Sequence, residues 1–246
     1  MRLTDRVVVI TGGARGIGGA TARLCAAEGA KIVIGDMLEA EGANTVAEIR
    51  QAGGQALFVK TNVTNDADCG ALMAAAIEAH GKIDVLVCAA GILRGAFQQV
   101  DVLDEATYMS VIEVNLKGDF LCARNAVPHM RKTGSGVILL FASVAGVRQP
   151  SSSLAYGSSK GGVHGFAMTL EAQLADSGIR VNDICPGSID TDMKRENVLD
   201  AAKAHGQPTE GALSVASLAS PDGVARLVTF LASADADYVR GTVFTR

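Results

Sequence analysis

The sequence predicts an α/β architecture, a parallel sheet of about seven strands with helices on both faces. Three observations carry that prediction. Short β-branched runs alternate with longer stretches of helical apolar periodicity. The short runs are almost continuously apolar, the pattern of strands buried on both faces rather than one. The first run leads straight into a glycine-rich turn that opens a helical stretch, Thr11-Gly12-Gly13-Ala14-Arg15-Gly16-Ile17-Gly18.

In chain order the strands are expected at Val7–Thr11, Lys31–Asp36, Ala56–Lys60, Val85–Cys88, Val137–Phe141, Arg180–Cys185 and Thr242–Phe244. Helical patterns fill the intervals, the longest from about Glu105 to Arg131. After Tyr156, the positions Val163, Phe166, Ala167, Leu170 and Leu174 recur at helical spacing. Residues 188–220 break the alternation: they are polar, rich in small residues and carry Gly206, Pro208 and Gly211. An irregular lid or loop is expected there. Ser220 and Pro221 then read as the N-cap and first residue of a helix that restores order.

No Pro/Ser-rich linker or charge run divides the 246 residues, so one domain over 1–246 is expected, with the lid at about 188–220. A net charge of −4 without a basic cluster argues against nucleic-acid binding. The first apolar run is too short for a signal peptide, and no apolar run reaches the length of a membrane span. Cys25, Cys69, Cys88, Cys122 and Cys185 are scattered, odd in number and without a CxxC pair. They read as reduced core residues of a cytoplasmic protein. His80, His129, His164 and His205 form no metal-ligand pair at helical spacing, so no metal is expected, and His164 reads as a packing or interface residue.

Two stretches carry chemistry. In the glycine turn, the backbone can approach a ligand closely, and the helix that follows presents free N–H groups and a partial positive charge to a phosphate. Asp36 ends the next strand, eighteen residues beyond Gly18. An acid there accepts hydrogen bonds from adenosine ribose hydroxyls and repels a 2′-phosphate, so NAD is expected over NADP. Arg15 is the counter-signal, a cation that could pair with that phosphate and leaves NADP possible. In the second stretch, Tyr156 and Lys160 stand four apart and share one helix face. The ammonium favours the phenolate, which brings a tyrosine from its reference of about 10 toward proton exchange with an alcohol or carbonyl near neutral pH.

With these residues placed, the sequence resembles the short-chain dehydrogenase/reductase family over nearly its whole length. The family's glycine motif is matched by Thr11, Gly12, Gly16 and Gly18, its asparagine by Asn115, its serine by Ser143, its tyrosine and lysine by Tyr156 and Lys160, and its Pro-Gly motif by Pro186-Gly187 with Thr191 beyond. The resemblance implies a Rossmann-type doubly wound α/β/α sandwich and a catalytic set of Asn115, Ser143, Tyr156 and Lys160. Tyr156 would be the general acid/base and Ser143 would orient the substrate oxygen. Lys160 would hold the nicotinamide ribose and Asn115 would relay protons through water to Lys160. Cofactor contacts are implied from Gly12, Arg15, Gly16, Ile17, Gly18, Asp36, Asn62, Val63, Ala89, Ala90, Gly91, Tyr156, Lys160, Pro186, Gly187, Ile189 and Thr191. A homotetramer is implied too, with the Asn115 and Tyr156 helices pairing across subunits and Gly161, Gly162 and Gly165 permitting close approach.

The chain departs from the pattern in three places. Cys88-Ala89-Ala90-Gly91 stands where Asn-Asn-Ala-Gly or Asn-Ala-Ala-Gly is usual, and Asn62-Val63 where Asp-Val is usual; an amide still accepts from the adenine amino group. Thr245-Arg246 follows the last strand directly, where relatives often continue Val-Asp-Gly-Gly. The substrate cleft is expected from Ile92–Phe97, Val144–Ser153, Gly187–Ile189 and the lid, and includes Arg94 and Arg148, either solvated rim charges or contacts to an acidic group. Glu171 and Asp176 lie on the helix after Lys160, where relatives that reduce acyl-carrier-protein thioesters carry arginine. NAD-linked oxidation of a small secondary alcohol, or the reverse ketone reduction, therefore ranks first. The alternatives are an NADPH-dependent carbonyl or 3-oxoacyl-thioester reductase, an isomerase or epimerase on the same scaffold, and a non-catalytic nucleotide-sensing protein.

Overall fold

The computed structural model describes residues 1–245. β1 (Val7–Thr11), β2 (Lys31–Asp36), β3 (Gln55–Lys60), β4 (Val85–Cys88), β5 (Gly136–Phe141), β6 (Ile179–Cys185) and β7 (Gly241–Phe244) form one sheet in the order β3-β2-β1-β4-β5-β6-β7. Every neighbouring pair is parallel. Each strand lies within one residue of its expected start, because apolar runs buried on two faces leave little freedom in where they begin.

Alternate residues of each strand feed two cores. Val7, Val9, Leu86, Ile138 and Leu140 join one; Val8, Ile10, Val85, Val87 and Leu139 join the other. The first core packs against α3 (Asp66–His80), α5 (Gly118–Thr133) and α7 (Leu154–Leu174); the second against α1 (Gly16–Ala27), α2 (Glu39–Gln51) and α10 (Pro221–Leu231). All five cysteines are buried with free thiols, and burial pushes the Cys25 thiol up to about 12. The chain lays β2 and β3 on one side of β1, then returns to lay β4 on its other side. This reversal opens a crevice at the carboxyl ends of β1 and β4, where open α/β sheets bind ligands.

Caps set the helix ends. Asn65, Ser153, Thr191 and Ser220 each accept a backbone N–H of the helix they precede, and Gly81 and Gly134 close α3 and α5 in the left-handed region. Ser220 and Pro221 start α10 as the sequence predicts.

Two expectations change. The helical stretch from Glu105 is α4 (Glu105–Ile112), a π-helical turn over Glu113–Lys117 and then α5, not one regular helix. Asn115 sits in the π turn, and an inserted residue of this kind is invisible to apolar periodicity. Residues 188–220 are not an irregular stretch. After the short helical turn α6 (Val144–Val147) and α7, they contain α8 (Asp192–Ala204) and α9 (Ala212–Val215). Of α8 only Ala202 is buried, so the segment has no apolar stripe for a periodicity search to find.

Two glycines of α7 meet other parts of the same chain. A Cβ at Gly162 would lie 2.7 Å from Leu116 Cδ2 and one at Gly161 3.1 Å from the Gly146 carbonyl oxygen, whereas nothing stands within 4 Å of one at Gly165. Close approach within the chain accounts for the first two. His164 packs as expected, its Nδ1 2.9 Å from buried Asp183 and 3.2 Å from the Thr242 hydroxyl.

Candidate active site

A cavity of about 690 Å³ opens along the crevice. Of the catalytic and cofactor residues expected from the sequence, all except Asn115 line it. One end is the glycine turn. The N-cap of α1, Arg15, makes no side-chain cap, and the first turn of α1 carries no acid. Its N–H groups are therefore left for an anion. At the end of β2 the Asp36 carboxylate is held by two backbone donors, Ala14 N–H (3.0 Å) and Leu38 N–H (3.1 Å). Arg15 pairs with Asp192 at 2.8 Å, joining the glycine turn to the start of α8. Asn62 lines the same end, but its Oδ1 accepts from the Thr64 N–H and hydroxyl in a local turn.

At the other end lie Ser143, Tyr156 and Lys160. Ser143 follows β5, and its Oγ accepts the Ala145 N–H at 3.2 Å. Ser153 caps α7 by accepting the Tyr156 N–H and donates to the Arg94 carbonyl at 2.6 Å, fixing the turn of helix that carries the tyrosine. Lys160 is buried, with its Nζ 5.6 Å from the Tyr156 ring centroid and donating to the Phe141 carbonyl at 2.6 Å. A helix therefore holds the phenol and the ammonium side by side, as the four-residue spacing requires.

Asn115 stands behind this wall rather than in it. Its Oδ1 accepts the Ile92 N–H (2.8 Å), and its Nδ2 donates to the Ile92 carbonyl (3.0 Å) and to Ser159 Oγ (3.0 Å). Ser159 in turn donates to the Tyr156 carbonyl. The amide thus ties the loop after β4 to the turn of α7 between Tyr156 and Lys160. Nearby, Asp119 is buried in the first turn of α5. Burial holds its carboxyl well above the usual range, against the pull of the Lys160 charge.

The two arginines expected at the substrate cleft do not line it. Arg94 reaches Ser110 (3.3 Å), and the guanidinium of Arg148 lies 3.3 Å from the Phe244 ring centroid. Both find partners on neighbouring elements that a linear reading cannot see. Conversely, Asp192, Met193, Lys194 and Asn197 line the cavity and escaped individual notice in the sequence. The spacing Thr191, Lys194, Asn197 would have revealed them had α8 been recognised as a helix. Among the described residues no group of three His, Cys, Asp or Glu could hold a metal ion, and no helix is long and apolar enough to cross a membrane.

Comparison with known proteins matches residues 6–202 to the family described as short chain dehydrogenase. The chain is 41% identical over 242 residues to a cis-4-hydroxycyclohexanecarboxylate dehydrogenase of Sinomonas cyclohexanicum, covering 97% of this chain and 94% of that protein. It is 36% identical to a 3-oxoacyl-[acyl-carrier-protein] reductase of Synechocystis sp., covering 98% and 95% of the two chains. The crystal structure of levodione reductase superposes with a TM-score of 0.91 at 33% identity, over 99% of this chain and 96% of that one. Fold and similarity agree, and the chain belongs to the short-chain dehydrogenase/reductase family.

Proposed function

We propose that this protein transfers a hydride between NAD(H) and a cyclic secondary alcohol or its ketone, with residues 188–220 as a lid over a single catalytic domain. The observation that carries the reading is the convergence of Ser143, Tyr156 and Lys160 on one end of a cavity whose other end is the uncapped start of α1 and Asp36. A nicotinamide dinucleotide fits these residues. Its pyrophosphate would meet the free N–H groups of α1, and its adenosine ribose would meet Asp36. The relative that acts on a hydroxycyclohexanecarboxylate supports a cyclic alcohol.

When bound, the nicotinamide supplies the hydride acceptor or donor. The chain's residues do the rest. Ser143 Oγ hydrogen-bonds the substrate oxygen and orients it. The Tyr156 phenolic oxygen takes the alcohol proton in oxidation and returns it in reduction. The buried Lys160 ammonium lies beside that phenol, and Asn115 holds the helix turn that carries both.

NAD is favoured over NADP on two grounds. The fixed Asp36 carboxylate repels a 2′-phosphate, and Arg15, the group that could offset the repulsion, is engaged by Asp192. A second reading, NADPH-dependent reduction of an acyl-carrier-protein thioester, draws on the Synechocystis relative. Glu171 and Asp176 on and after α7 oppose docking of an acidic carrier protein. The family's homotetramer is part of the proposal, supported by Phe120 and Met168, apolar yet 46% and 59% exposed on α5 and α7.

The test is reduced-nicotinamide absorbance with secondary alcohols and NAD or NADP, for the wild type and Tyr156→Phe. Reduction of NAD by the wild type alone is expected, with NADH binding kept in the variant. Retained turnover in Tyr156→Phe refutes its role, and faster thioester reduction with NADPH refutes the substrate ranking.

A further inference from the structure

Five charged side chains line the cavity: Arg15, Asp36, Lys160, Asp192 and Lys194. Four have partners. Arg15 and Asp192 pair with each other, Asp36 accepts two backbone N–H groups, and Lys160 donates to the Phe141 carbonyl. The Lys194 ammonium has no carboxylate within 4.0 Å among the described residues, and none of the hydrogen bonds found there involves it. Its backbone is fixed all the same, since its N–H is donated to Thr191 Oγ1 at 3.3 Å. One turn further along the same face of α8, Asn197 donates to Ser152 Oγ at 2.9 Å and pins the helix to the loop that leads into Ser153 and Tyr156. The half-buried Lys194 thus lines the cavity on the face of α8 that Asn197 ties to the Ser152 loop, and Ile92, Leu93, Val144 and Met193 line the same cavity with apolar surface for a ring.

A cation with neither a carboxylate nor a hydrogen-bond partner in a partly desolvated cleft favours an anionic occupant. We propose that Lys194 determines substrate specificity by binding a carboxylate carried on the alcohol's ring, remote from the reacting hydroxyl. This rests on the dehydrogenase reading above and narrows its substrate class from cyclic alcohols to hydroxycycloalkane carboxylates. The same ammonium chemistry could instead serve the cofactor's phosphates, so the test has separate arms.

The first arm needs no turnover. Calorimetry measures binding of cyclohexanecarboxylate and of neutral cyclohexanecarboxamide to the wild type, Lys194→Gln and Lys194→Arg, with and without NADH. Wild type should prefer the carboxylate. Lys194→Gln should erase about tenfold or more of that preference, the worth of one charge-assisted hydrogen bond, and Lys194→Arg should keep most of it. The second arm measures the NADH dissociation constant of each variant. The third compares kcat/KM for 4-hydroxycyclohexanecarboxylate with that for its methyl ester, and the ratio should fall in Lys194→Gln by a similar factor. The proposal is overturned if wild type binds the carboxylate no better than the carboxamide, or if Lys194→Gln weakens both alike. It is also overturned if the variant's loss lies in NADH affinity, which would assign the ammonium to the phosphates. No nucleotide-linked turnover on any alcohol, with the carboxylate preference intact, would sink the dehydrogenase reading and leave the anion site standing. Turnover without a carboxylate preference would sink the anion site alone.

Discussion

Asn115→Ala isolates the contact that holds the site together. Asn115 is fully buried, and its amide makes three hydrogen bonds, two of them to the backbone of Ile92. Alanine leaves the Ile92 N–H and carbonyl without those partners. Each unsatisfied buried or half-buried backbone group costs about 1–2 kcal/mol, which gives about 2–4 kcal/mol for the pair. Ser159 still donates to the Tyr156 carbonyl, so its loss adds little. In urea, a slope of about 3 kcal/mol/M converts this into a midpoint lowered by about 1 M. Faster hydrogen exchange at the Ile92 amide should accompany it, because that group opens to water. Turnover should fall with the affinity for substrate, since the loop after β4 and the α7 turn lose their tie. An unchanged midpoint and unchanged Ile92 exchange, with kcat reduced, would refute this reasoning and give Asn115 a direct role in proton transfer.

Three further predictions follow from the site. Asp192→Ala releases Arg15 from a half-exposed ion pair, so stability should change by less than about 1 kcal/mol while NADPH gains on NADH in fluorescence titrations; an unchanged ratio would show that Arg15 has no access to the 2′ position. A Cβ at Gly18 would lie 2.1 Å from the Gly12 carbonyl oxygen, whereas one at Gly16 meets only Thr191 Cγ2 at 3.4 Å and suffers from φ +57°. Gly18→Ala should therefore lower the melting temperature by more than Gly16→Ala, whose cost is about 1–2 kcal/mol, and the reverse order would contradict the close approach in the turn. Asp119 has its folded pKa raised above 3.8 by burial, so its stabilising contribution is complete below that value and is lost as pH rises through the folded pKa. The melting temperature of Asp119→Asn relative to wild type should accordingly climb as pH is raised from 4, and a difference that is flat with pH would show that the folded protein leaves the Asp119 pKa where the unfolded chain has it.

The sheet is legible from local sequence. Strands such as Val7–Thr11 and Val137–Phe141 are apolar on both faces, a local property that composition and spacing display directly, and the start of each strand follows from it. The two ends of the candidate site are legible for the same reason, because Gly12 to Gly18 and Tyr156 to Lys160 each lie within a single turn or helix, where residue spacing is distance. Contacts between distant segments arise only once the chain has packed. Asn115 reads as one polar residue on an apolar helix, and only the π turn beside Ile92 and Ser159, 23 and 44 residues away, gives its amide a task. Arg94 and Arg148 read as cleft cations until Ser110 and Phe244 claim them. Lys194 gains its place in the cavity from the packing of α8 against the Ser152 loop, on a helix whose exposed faces leave no periodic trace. Pairing energies between remote groups depend on where the chain brings them, and a one-dimensional pattern holds no record of those distances.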